Sequence, residues 1–400
     1  MKPLQGITVV ALEHAIAAPF ATRQLADLGA RVIKVERPDG GDFARAYDQR
    51  VRGQSSHFVW VNRSKESLAL DLTQPLANEA LMRLIDTQAD VLVQNLGPGA
   101  AQRLGLGWAA LSARKPSLIV CDISGYGGSG PMRERKAYDL LIQAEAGFLS
   151  VTGTPGEMAK AGISIADIAA GTQAHAGILA ALIERGRTGR GRHIDISMLE
   201  AMAEWMGFPM YYAHEGAAPP PRSGASHATI YPYGPFEVGR ATPQPGTVML
   251  GLQNEREWVA FCTGVLRQPG LATDARFDSN TRRSAARAAL LAEMDAVFAT
   301  LTVAEVLARL DEARIASAQV RDMAGLWAHP QLAARGRWAQ VGTPAGAVPA
   351  LWPPGRSGAD DTAMQPVPAL GEHTYAILHG LGYGDEDIAA MTQTHRTPET

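Results

Sequence analysis

The sequence predicts an α/β protein, with a parallel sheet in its first half and a smaller α+β region after it. Short runs of β-branched residues alternate with helical stretches, which is typical of strand–helix–strand units joined by right-handed crossovers. The strand runs are almost entirely apolar, as expected for strands that helices cover on both faces. With 400 residues, 46% of them hydrophobic, the chain is long enough to bury more than one core.

Strands and helices alternate through the first half of the chain. The predicted strands are Ile7–Ala11, Arg31–Glu36, Ala89–Asn95 and Leu118–Asp122, and the helices between them are Pro19–Leu28 and Pro75–Thr87. Gly29 follows the first helix, where glycine commonly takes the left-handed conformation that ends a helix. A helix rich in small residues is predicted from about Ile168 to Glu184, with Asp167 as its N-cap, and a strand at His193–Met198 follows it.

The second half has a different pattern. Pro219–Pro221 marks a linker, after which strands are predicted at Ile230–Phe236 and Thr247–Gly251. Helices are then predicted at Arg282–Ala299 and Val303–Glu312, and a short final helix begins at Asp387–Met391. Strands followed by helices, rather than alternating with them, indicate a second, smaller α+β domain.

Composition and charge exclude several classes of function. The net charge is −3, with 37 basic and 40 acidic residues, so no broad nucleic-acid or membrane surface is expected. Cys121 and Cys262 cannot form a disulfide framework, and the zinc spacings C-x-x-C and H-E-x-x-H are absent from the sequence, so no metal is expected. The first residues resemble neither a signal peptide nor a membrane span, which predicts a cytoplasmic protein.

A glycine-rich turn at Gly125–Gly130 matches the pattern G-x-G-x-x-G after a strand. A dinucleotide-binding loop should then open a helix whose free N–H groups meet the pyrophosphate. Here Pro131 and the charged Arg133–Lys136 follow instead, and the first strand–helix turn, Glu13–Pro19, has no glycine. These residues argue against NAD binding and favour a turn that lets the backbone approach another ligand.

Two groups of residues are open to a structural and to a functional interpretation. Asp167 is either a plain N-cap or a carboxylate held at a helix start, ionised and ready to attack. Arg37, Arg103 and Lys136 are either solvated surface charges or cations at the carboxyl ends of parallel strands, where a phosphate-rich ligand would bind. Local sequence does not choose between these interpretations.

Eight short segments, standing in a fixed order along the chain, together resemble the class III CoA-transferases of the CaiB/BaiF type, a family that includes formyl-CoA transferase. The resemblance extends from residue 3 to about residue 392. It rests on Pro3–Gly6, Gly29–Pro38, Asn62–Lys65, Asn95–Gly99, Gly125–Gly127, Ala166–Asp167, Arg187–Gly191 and Leu370–Thr374.

The resemblance implies an architecture and a reaction. The architecture is a Rossmann-like large domain from residues 1–200 and 327–400, a small domain from 222–320, linkers at 201–221 and 321–326, and an interlocked homodimer. The reaction moves CoA from an acyl-CoA to a small carboxylic acid, through an aspartyl anhydride and an enzyme-bound CoA thioester. Acyl-CoA is then a substrate, and no permanently bound cofactor is expected.

The resemblance also implies roles for individual residues. Asp167 stands at the position of the nucleophile. CoA contacts are implied for Arg37, Leu70, Asn95, Leu96, Arg103 and Lys136, and a substrate pocket for Ile16, His57, Tyr138 and Asp139. A lysine of formyl-CoA transferase is Thr73 here, and a tyrosine, a glutamate and a glutamine appear as His57, Asp139 and Ile16. These departures argue against formyl-CoA and oxalate as substrates.

A substrate pair of succinyl-CoA and a C4 or C5 dicarboxylate, such as itaconate, mesaconate or citramalate, is expected. The free carboxylate of such an ester needs a cation or several donors. The candidates are Arg45, Arg50, Arg52, His57, Arg222 and His227. Backbone N–H groups at the start of the Asp167 helix and in the Gly125–Gly130 turn are candidate donors to the oxyanion that forms during transfer.

Two other functions remain open at this stage. An α-methylacyl-CoA racemase shares this fold, but its catalytic histidine would be Tyr138 here, and tyrosine is a poor base near neutral pH because its ordinary pKa is about 10. A non-catalytic acyl-CoA binding protein would explain the cations but not an aspartate at the position of the family nucleophile. Exchange of label between a free acid and an acyl-CoA would separate these functions from transfer.

Overall fold

The structure is a computed structural model that describes residues 2–355 and 364–392. The described residues form two compact units. The larger comprises 1–148, 161–208 and the described part of 336–400, and the smaller comprises 149–160 and 209–335. The domain limits inferred from the sequence stay a prediction.

The strands are β1 (Thr8–Leu12), β2 (Arg31–Glu36), β3 (Lys65–Ala69), β4 (Val91–Gln94), β5 (Ile119–Ser124), β6 (Gly153–Thr154), β7 (Glu157–Met158), β8 (His193–Ser197), β9 (Tyr233–Val238), β10 (Gly246–Gly251), β11 (Ser317–Gln319), β12 (Trp338–Val341) and β13 (Val348–Leu351).

The helices are α1 (Ala17–Asp27), α2 (Ser56–Asn62), α3 (Pro75–Gln88), α4 (Ala100–Arg103), α5 (Trp108–Arg114), α6 (Asp139–Glu145), α7 (Phe148–Val151), α8 (Ile165–Thr188), α9 (Met198–Trp205), α10 (Gly207–Tyr212), α11 (Glu255–Ala260), α12 (Asn280–Ala285), α13 (Arg287–Phe298), α14 (Val303–Glu312), α15 (Met323–Trp327), α16 (Pro330–Ala334), α17 (Thr374–Gly380) and α18 (Asp385–Thr392).

A six-stranded parallel sheet, in the order β3-β2-β1-β4-β5-β8, forms the centre of the larger unit and confirms the predicted α/β class. Side chains alternate across it, so that Val9 packs into one core with α1 and α8, and Val10 into the other with α3, α17 and α18. The strand order reverses between β1 and β4. In open α/β sheets, ligands bind beyond the carboxyl ends of the strands at such a point.

The edge strand β3 was not predicted from the sequence. Its sequence, Lys-Glu-Ser-Leu-Ala, begins with polar residues and lacks the apolar run of the other strands. Lys65 and Ser67 are nevertheless buried, because their polar atoms bond to other buried polar groups. With Leu68 and Ala69 as its only buried apolar residues, the strand is too short of apolar positions for a hydrophobic pattern to reveal it.

Helix α8 begins three residues earlier than predicted. Ser164 is its N-cap and makes no side-chain cap bond, and Asp167 is the third helical residue, so the prediction of Asp167 as the N-cap is wrong. The helix also continues past the predicted Glu184 to Thr188, and Gly189 then takes the left-handed conformation. By length and composition alone α8 would qualify as a membrane span, a test that a core helix also passes, and here it packs in the core beside the sheet.

In the smaller unit, the antiparallel sheet β11-β10-β9 packs with α11, α13 and α14 around Trp258, Phe261 and Phe298. The predicted α14 is observed with the same limits, and Thr302 and Glu305 form a capping box at its start. The single helix predicted at Arg282–Ala299 is two helices that meet at Ala286, whose backbone is not helical.

Candidate active site

The first turn of α8 places Asp167 at the carboxyl edge of the parallel sheet. α8 ends at Thr188 and β8, parallel to β5, begins at His193, so the helix leads into the amino end of a strand and starts at the opposite edge. Where α8 crosses α1, both helices carry small residues. A Cβ placed on Gly171 would lie 2.6 Å from the Ala17 carbonyl oxygen, so only glycine permits this approach.

The turns after β1 and β4 bond to each other at the point where the strand order reverses. The His14 N–H donates to Asn95 Oδ1 at 2.8 Å, and Asn95 Nδ2 donates to the His14 carbonyl oxygen at 2.9 Å. Both ends of the predicted CoA residue Asn95 are therefore used to hold the turn. His14 stacks on Phe43, with 5.4 Å between ring centroids, and burial lowers its pKa.

A buried ionic network lies beneath these turns. Lys34 Nζ donates to Asp42 Oδ2 at 2.8 Å, while Lys65 Nζ donates to Glu13 Oε1 at 2.6 Å. Burial lowers the pKa of Lys65 to about 7 despite the nearby Glu13. The other oxygen of Asp42 accepts the N–H of Ala15 at 3.1 Å, and Ala15 has a φ of 58°. The network thus holds the first turn in a conformation that an alanine rarely adopts.

Asp167 lies beside a second carboxylate, Asp139, the first residue of α6. Asp139 Oδ1 accepts the N–H of Ala166 at 2.7 Å and the N–H of Asp167 at 3.2 Å, so Asp139 caps a helix that begins 26 residues later in the chain. Burial, with the charge of Asp139 as the second cause, raises the pKa of Asp167 to about 7. A half-buried carboxylate that ionises near neutral pH is suited to act as a nucleophile.

Tyr47 belongs to a cluster of aromatic side chains. It contacts His57 edge-on with 5.4 Å between ring centroids, and it contacts Phe43 at 5.7 Å. Burial, with the charges of Asp42 and Asp167 as smaller causes, raises the pKa of Tyr47 to about 12. Tyr138 is 68% exposed, directly before Asp139.

The structure brings some of the predicted pocket together. Asp139 is next to Asp167, whereas Ile16 is buried at the start of α1. His57 Nδ1 lies 3.4 Å from Asp48 Oδ2, and the His57 ring contacts the Tyr47 ring. Of the predicted pocket residues, Asp139 therefore has the most direct contact with the proposed nucleophile.

The predicted CoA residues follow several strands of the sheet. Arg37 and Leu96 follow β2 and β4, and Lys136 lies exposed in the loop before α6. Arg103, at the end of α4, covers Gly99, where a Cβ would lie 2.9 Å from its guanidinium. Leu70 is buried, and its N–H donates to the Glu36 carbonyl oxygen at 2.9 Å.

Two sequence-based candidates are corrected by the structure. Arg45 donates two hydrogen bonds, of 2.8 and 2.7 Å, to the buried Glu36 and lies over the Phe58 ring, so its guanidinium is already paired within the protein. Burial opposes the ionisation of Glu36, but the hydrogen bonds from Arg45 and Ser67 and the charges of Lys34 and Arg45 together outweigh it and lower the pKa of Glu36 to about 2.

The second correction concerns the oxyanion donors. The N–H groups of Ala166 and Asp167 donate to Asp139. The N–H groups of Gly127 and Gly128 donate to Ser124 and Asp195. These four candidates are therefore occupied within the protein and are not preorganised for a substrate oxygen.

Sequence reasoning missed Tyr47, Phe43 and Gln143 at this site. Phe43 and Tyr47 stay 44% and 48% exposed, and aromatic residues in a loop full of arginines were the available signal. Gln143 looked like an ordinary helical residue, and no local signal distinguishes it.

Comparison with known proteins agrees with this fold and shows the family of the chain. The profile of CoA-transferase family III matches residues 4–374. The chain therefore belongs to CoA-transferase family III, and it is an enzyme of the class III CoA-transferase type, which acts on CoA thioesters and carboxylates.

Individual relatives cover nearly the whole chain. A mouse succinyl-CoA:glutarate CoA-transferase is 31% identical, over 96% of this chain and 88% of its own. A succinyl-CoA:mesaconate CoA-transferase of Haloarcula marismortui is 33% identical, over 86% of this chain and 87% of its own. The crystal structure of a CaiB/BaiF family protein from Brucella suis superposes with a TM-score of 0.83 at 33% identity, covering 95% of this chain and 99% of that one.

Proposed function

We propose that the protein transfers CoA from succinyl-CoA to a dicarboxylate of four or five carbons, such as itaconate, mesaconate or citramalate, with Asp167 as the nucleophile. The observation that carries the proposal is the setting of Asp167. Its half-buried carboxylate lies in the first turn of a helix, beside a second carboxylate, and its pKa is raised to about 7 by burial and by Asp139.

The reaction needs four displacements, each of which exchanges one bond for another. The Asp167 carboxylate attacks the thioester carbonyl and releases CoA thiolate, which leaves a mixed anhydride. The thiolate then attacks the aspartyl carbonyl, releases succinate and forms an enzyme-bound CoA thioester. The acceptor carboxylate attacks this thioester, and the released thiolate attacks the new acyl carbonyl and frees Asp167. The thioester bond is conserved, so no other energy source is needed.

The Tyr47 hydroxyl is a candidate donor to the oxyanions of these steps. The charge of Asp167 is one of the causes that raise its pKa to about 12, and this pKa keeps the hydroxyl protonated at neutral pH. The aromatic residues Phe43 and His14 beside it help to keep water from the anhydride and the thioester, both of which hydrolyse.

A dicarboxylate acceptor is supported by two observations. The mouse and Haloarcula relatives are named as CoA-transferases that use succinyl-CoA with glutarate and with mesaconate, which are both five-carbon dicarboxylates. In this chain, Arg50 and Arg52 follow Tyr47 closely in sequence, and no carboxylate among the described residues lies within ion-pair distance of either guanidinium. They are therefore candidates to pair with the free carboxylate of the substrate.

A panel of free acids incubated with succinyl-CoA tests the substrate class. Mass spectrometry would count the new CoA esters formed from glutarate, itaconate, mesaconate, citramalate and oxalate. Valerate serves as the matched acid, because it has the chain length of glutarate without the second carboxylate. At least tenfold faster transfer to the C5 dicarboxylates than to valerate is expected.

Two results would contradict the proposal. Transfer to valerate but to no dicarboxylate would remove the substrate class. New CoA esters formed at the normal rate by the Asp167→Asn protein would remove the nucleophile. An α-methylacyl-CoA racemase would instead exchange the α-proton of a branched acyl-CoA in D2O and form no new ester.

A further inference from the structure

We infer that Gln143 is a positioning residue for the nucleophile, because its buried amide holds the Asp139 carboxylate against the first turn of α8. The inference rests on the proposed role of Asp167. Gln143 lies in α6, one turn after Asp139, and its side chain is completely buried. No motif of the sequence and no contact with solvent accounts for a polar residue at this point of the core.

The amide of Gln143 uses both of its ends. Its Nε2 donates to Asp139 Oδ2 at 2.6 Å, and its Oε1 accepts the N–H of Ala161 at 3.0 Å. Because a backbone N–H can only donate and a carboxylate can only accept, one orientation of the amide satisfies both partners. Gln143 therefore ties α6 to the segment that leads into α8.

Asp139 passes this constraint on to the nucleophile. One of its oxygens faces Gln143 and the other accepts the N–H groups of Ala166 and Asp167. Three donors thus hold the Asp139 carboxylate in place. After burial, the charge of Asp139 is the second cause that raises the pKa of Asp167, so the position of Asp139 affects the ionisation of the nucleophile.

Other titratable groups face this pair from neighbouring elements. Tyr138 directly precedes Asp139, the first residue of α6. Tyr47, in the segment after β2, interacts electrostatically with Asp42 and Asp167. Further along α8, His175 interacts with Arg23 of α1. Among these groups, Asp139 is the one whose charge acts on the ionisation of Asp167.

Gln143→Met tests the inference, since methionine has a similar length and shape but no hydrogen-bonding amide. We expect the pH midpoint of kcat/KM to fall by at least half a unit from the wild-type value near 7, because Asp139 is no longer held beside Asp167. The plateau of kcat should fall about tenfold, because the helix start moves, while the KM for succinyl-CoA changes less than twofold. The matched control is Gln173→Met. Gln173 lies on α8 itself, but it lines a separate cavity together with Asp195. It should leave the midpoint unchanged.

The midpoint separates positioning from general stabilisation. A merely structural role would lower the melting temperature and the active fraction equally at every pH, and a Gln143→Met protein that folds and keeps the wild-type midpoint overturns the inference. If Gln143→Met does not fold, Gln143→Asn carries the test, because the shorter amide cannot reach both Asp139 and Ala161. A folded asparagine variant with an unshifted midpoint would overturn the inference equally.

Intact-protein mass spectrometry during incubation with succinyl-CoA separates failure of this inference from failure of the proposed function. A wild-type protein that forms no CoA thioester on Asp167 would show that the proposed nucleophile is wrong. If the wild-type protein instead forms the thioester with a pH midpoint near 7, and the Gln143 variants show the same pH midpoint, only the positioning role is wrong.

Discussion

Asp167 is under opposing electrostatic influences. The start of a helix favours a negative charge, because unpaired N–H groups carry positive partial charge there. Here Asp139 already occupies two of those N–H groups, and burial and the charge of Asp139 raise the pKa of Asp167 to about 7. The residue is thus kept as a reactive carboxylate at a cost in stability, as is common at catalytic sites.

This cost gives a prediction for Asp167→Asn. Between the ordinary carboxyl pKa of 3.8 and about 7, the folded wild type binds more protons at Asp167 than the unfolded chain does, so wild-type stability falls as the pH rises. The asparagine variant lacks this loss. We expect the two proteins to be similarly stable near pH 4, and the variant to be more stable above pH 7, by up to about 4 kcal/mol at about 1.4 kcal/mol per pKa unit.

Urea unfolding at several pH values measures the difference. The Asp167→Asn variant should lose CoA transfer while it gains stability. Asp122→Asn is a suitable comparison, because it removes a carboxylate that is bonded to His193 elsewhere on the sheet. A stability difference for Asp167→Asn that does not grow between pH 4 and pH 8 would show that Asp167 ionises normally in the folded protein.

At the scale of elements, the contact between α1 and α8 determines where the nucleophile lies. Ala17, Ala18 and Ala21 of α1 are buried against a run of small residues on α8 that includes Ala170 and Gly171. Small side chains allow the two helix backbones to approach closely, and α1 starts beside the His14–Asn95 turn. The packing of these two helices therefore sets the distance from Asp167 to the turns at the sheet edge.

Gly171→Ala tests this packing. The new Cβ would meet the Ala17 carbonyl oxygen at 2.6 Å, and backbone cannot move aside as a flexible side chain can. We expect a loss of about 1–3 kcal/mol in the free energy of unfolding, as is typical of overpacked cores, and a fall in kcat as α8 is displaced.

Gly186→Ala is the matched control for that experiment. Gly186 lies on the same helix, and a Cβ there would meet nothing within 4 Å. Alanine is the better helix former, so this variant should gain about 0.5–1 kcal/mol with unchanged activity. Equal effects of the two substitutions on chemical denaturation would argue against close packing at Gly171.

At the scale of the whole molecule, the large sheet holds a buried ionic network that connects β1, β2 and β3. Glu13, Lys34, Lys65 and Asp42 are each buried, and each carries a partner of opposite charge. Removing one partner would leave an uncompensated buried charge, which typically costs several kcal/mol. The network therefore stabilises one conformation of the turn after β1 at this edge of the sheet.

The family resemblance implies an interlocked homodimer, and the surface of the chain supports this proposal. Between residues 205 and 212, Trp205, Phe208, Met210 and Tyr211 are 44%, 69%, 61% and 83% exposed. Large exposed hydrophobic residues this close together in sequence are typical of a surface that a partner covers. We expect a second copy of the chain to cover it.

Analytical ultracentrifugation over a wide dilution range tests the assembly. Interlocked chains cannot separate without unfolding, so no monomer should appear at nanomolar concentration. Tyr211→Asp should lower the yield of dimer, whereas Tyr375→Asp, another exposed tyrosine on α17, should not. A reversible monomer–dimer equilibrium in the wild type would contradict an interlocked arrangement.

The local pattern of the chain was sufficient for most of the architecture. β2 and α14 were predicted with the limits that the structure shows, because apolar runs and helical periodicity record which side of an element is buried. The same pattern predicted the parallel α/β sheet. Together with the ordered family segments, it also indicated the class of enzyme and drew attention to Asp167.

Only the tertiary structure revealed what surrounds Asp167. The N–H groups in the first turn of α8 donate to Asp139, which lies 28 residues before Asp167. The residue that holds Asp139 in place is Gln143, a glutamine with an ordinary helical context. β3 was missed because two of its buried residues, Lys65 and Ser67, are polar and bond to residues distant in sequence, such as Glu13. Periodicity reports burial along one element, whereas hydrogen bonds between distant residues depend on how the elements pack, which no local pattern encodes.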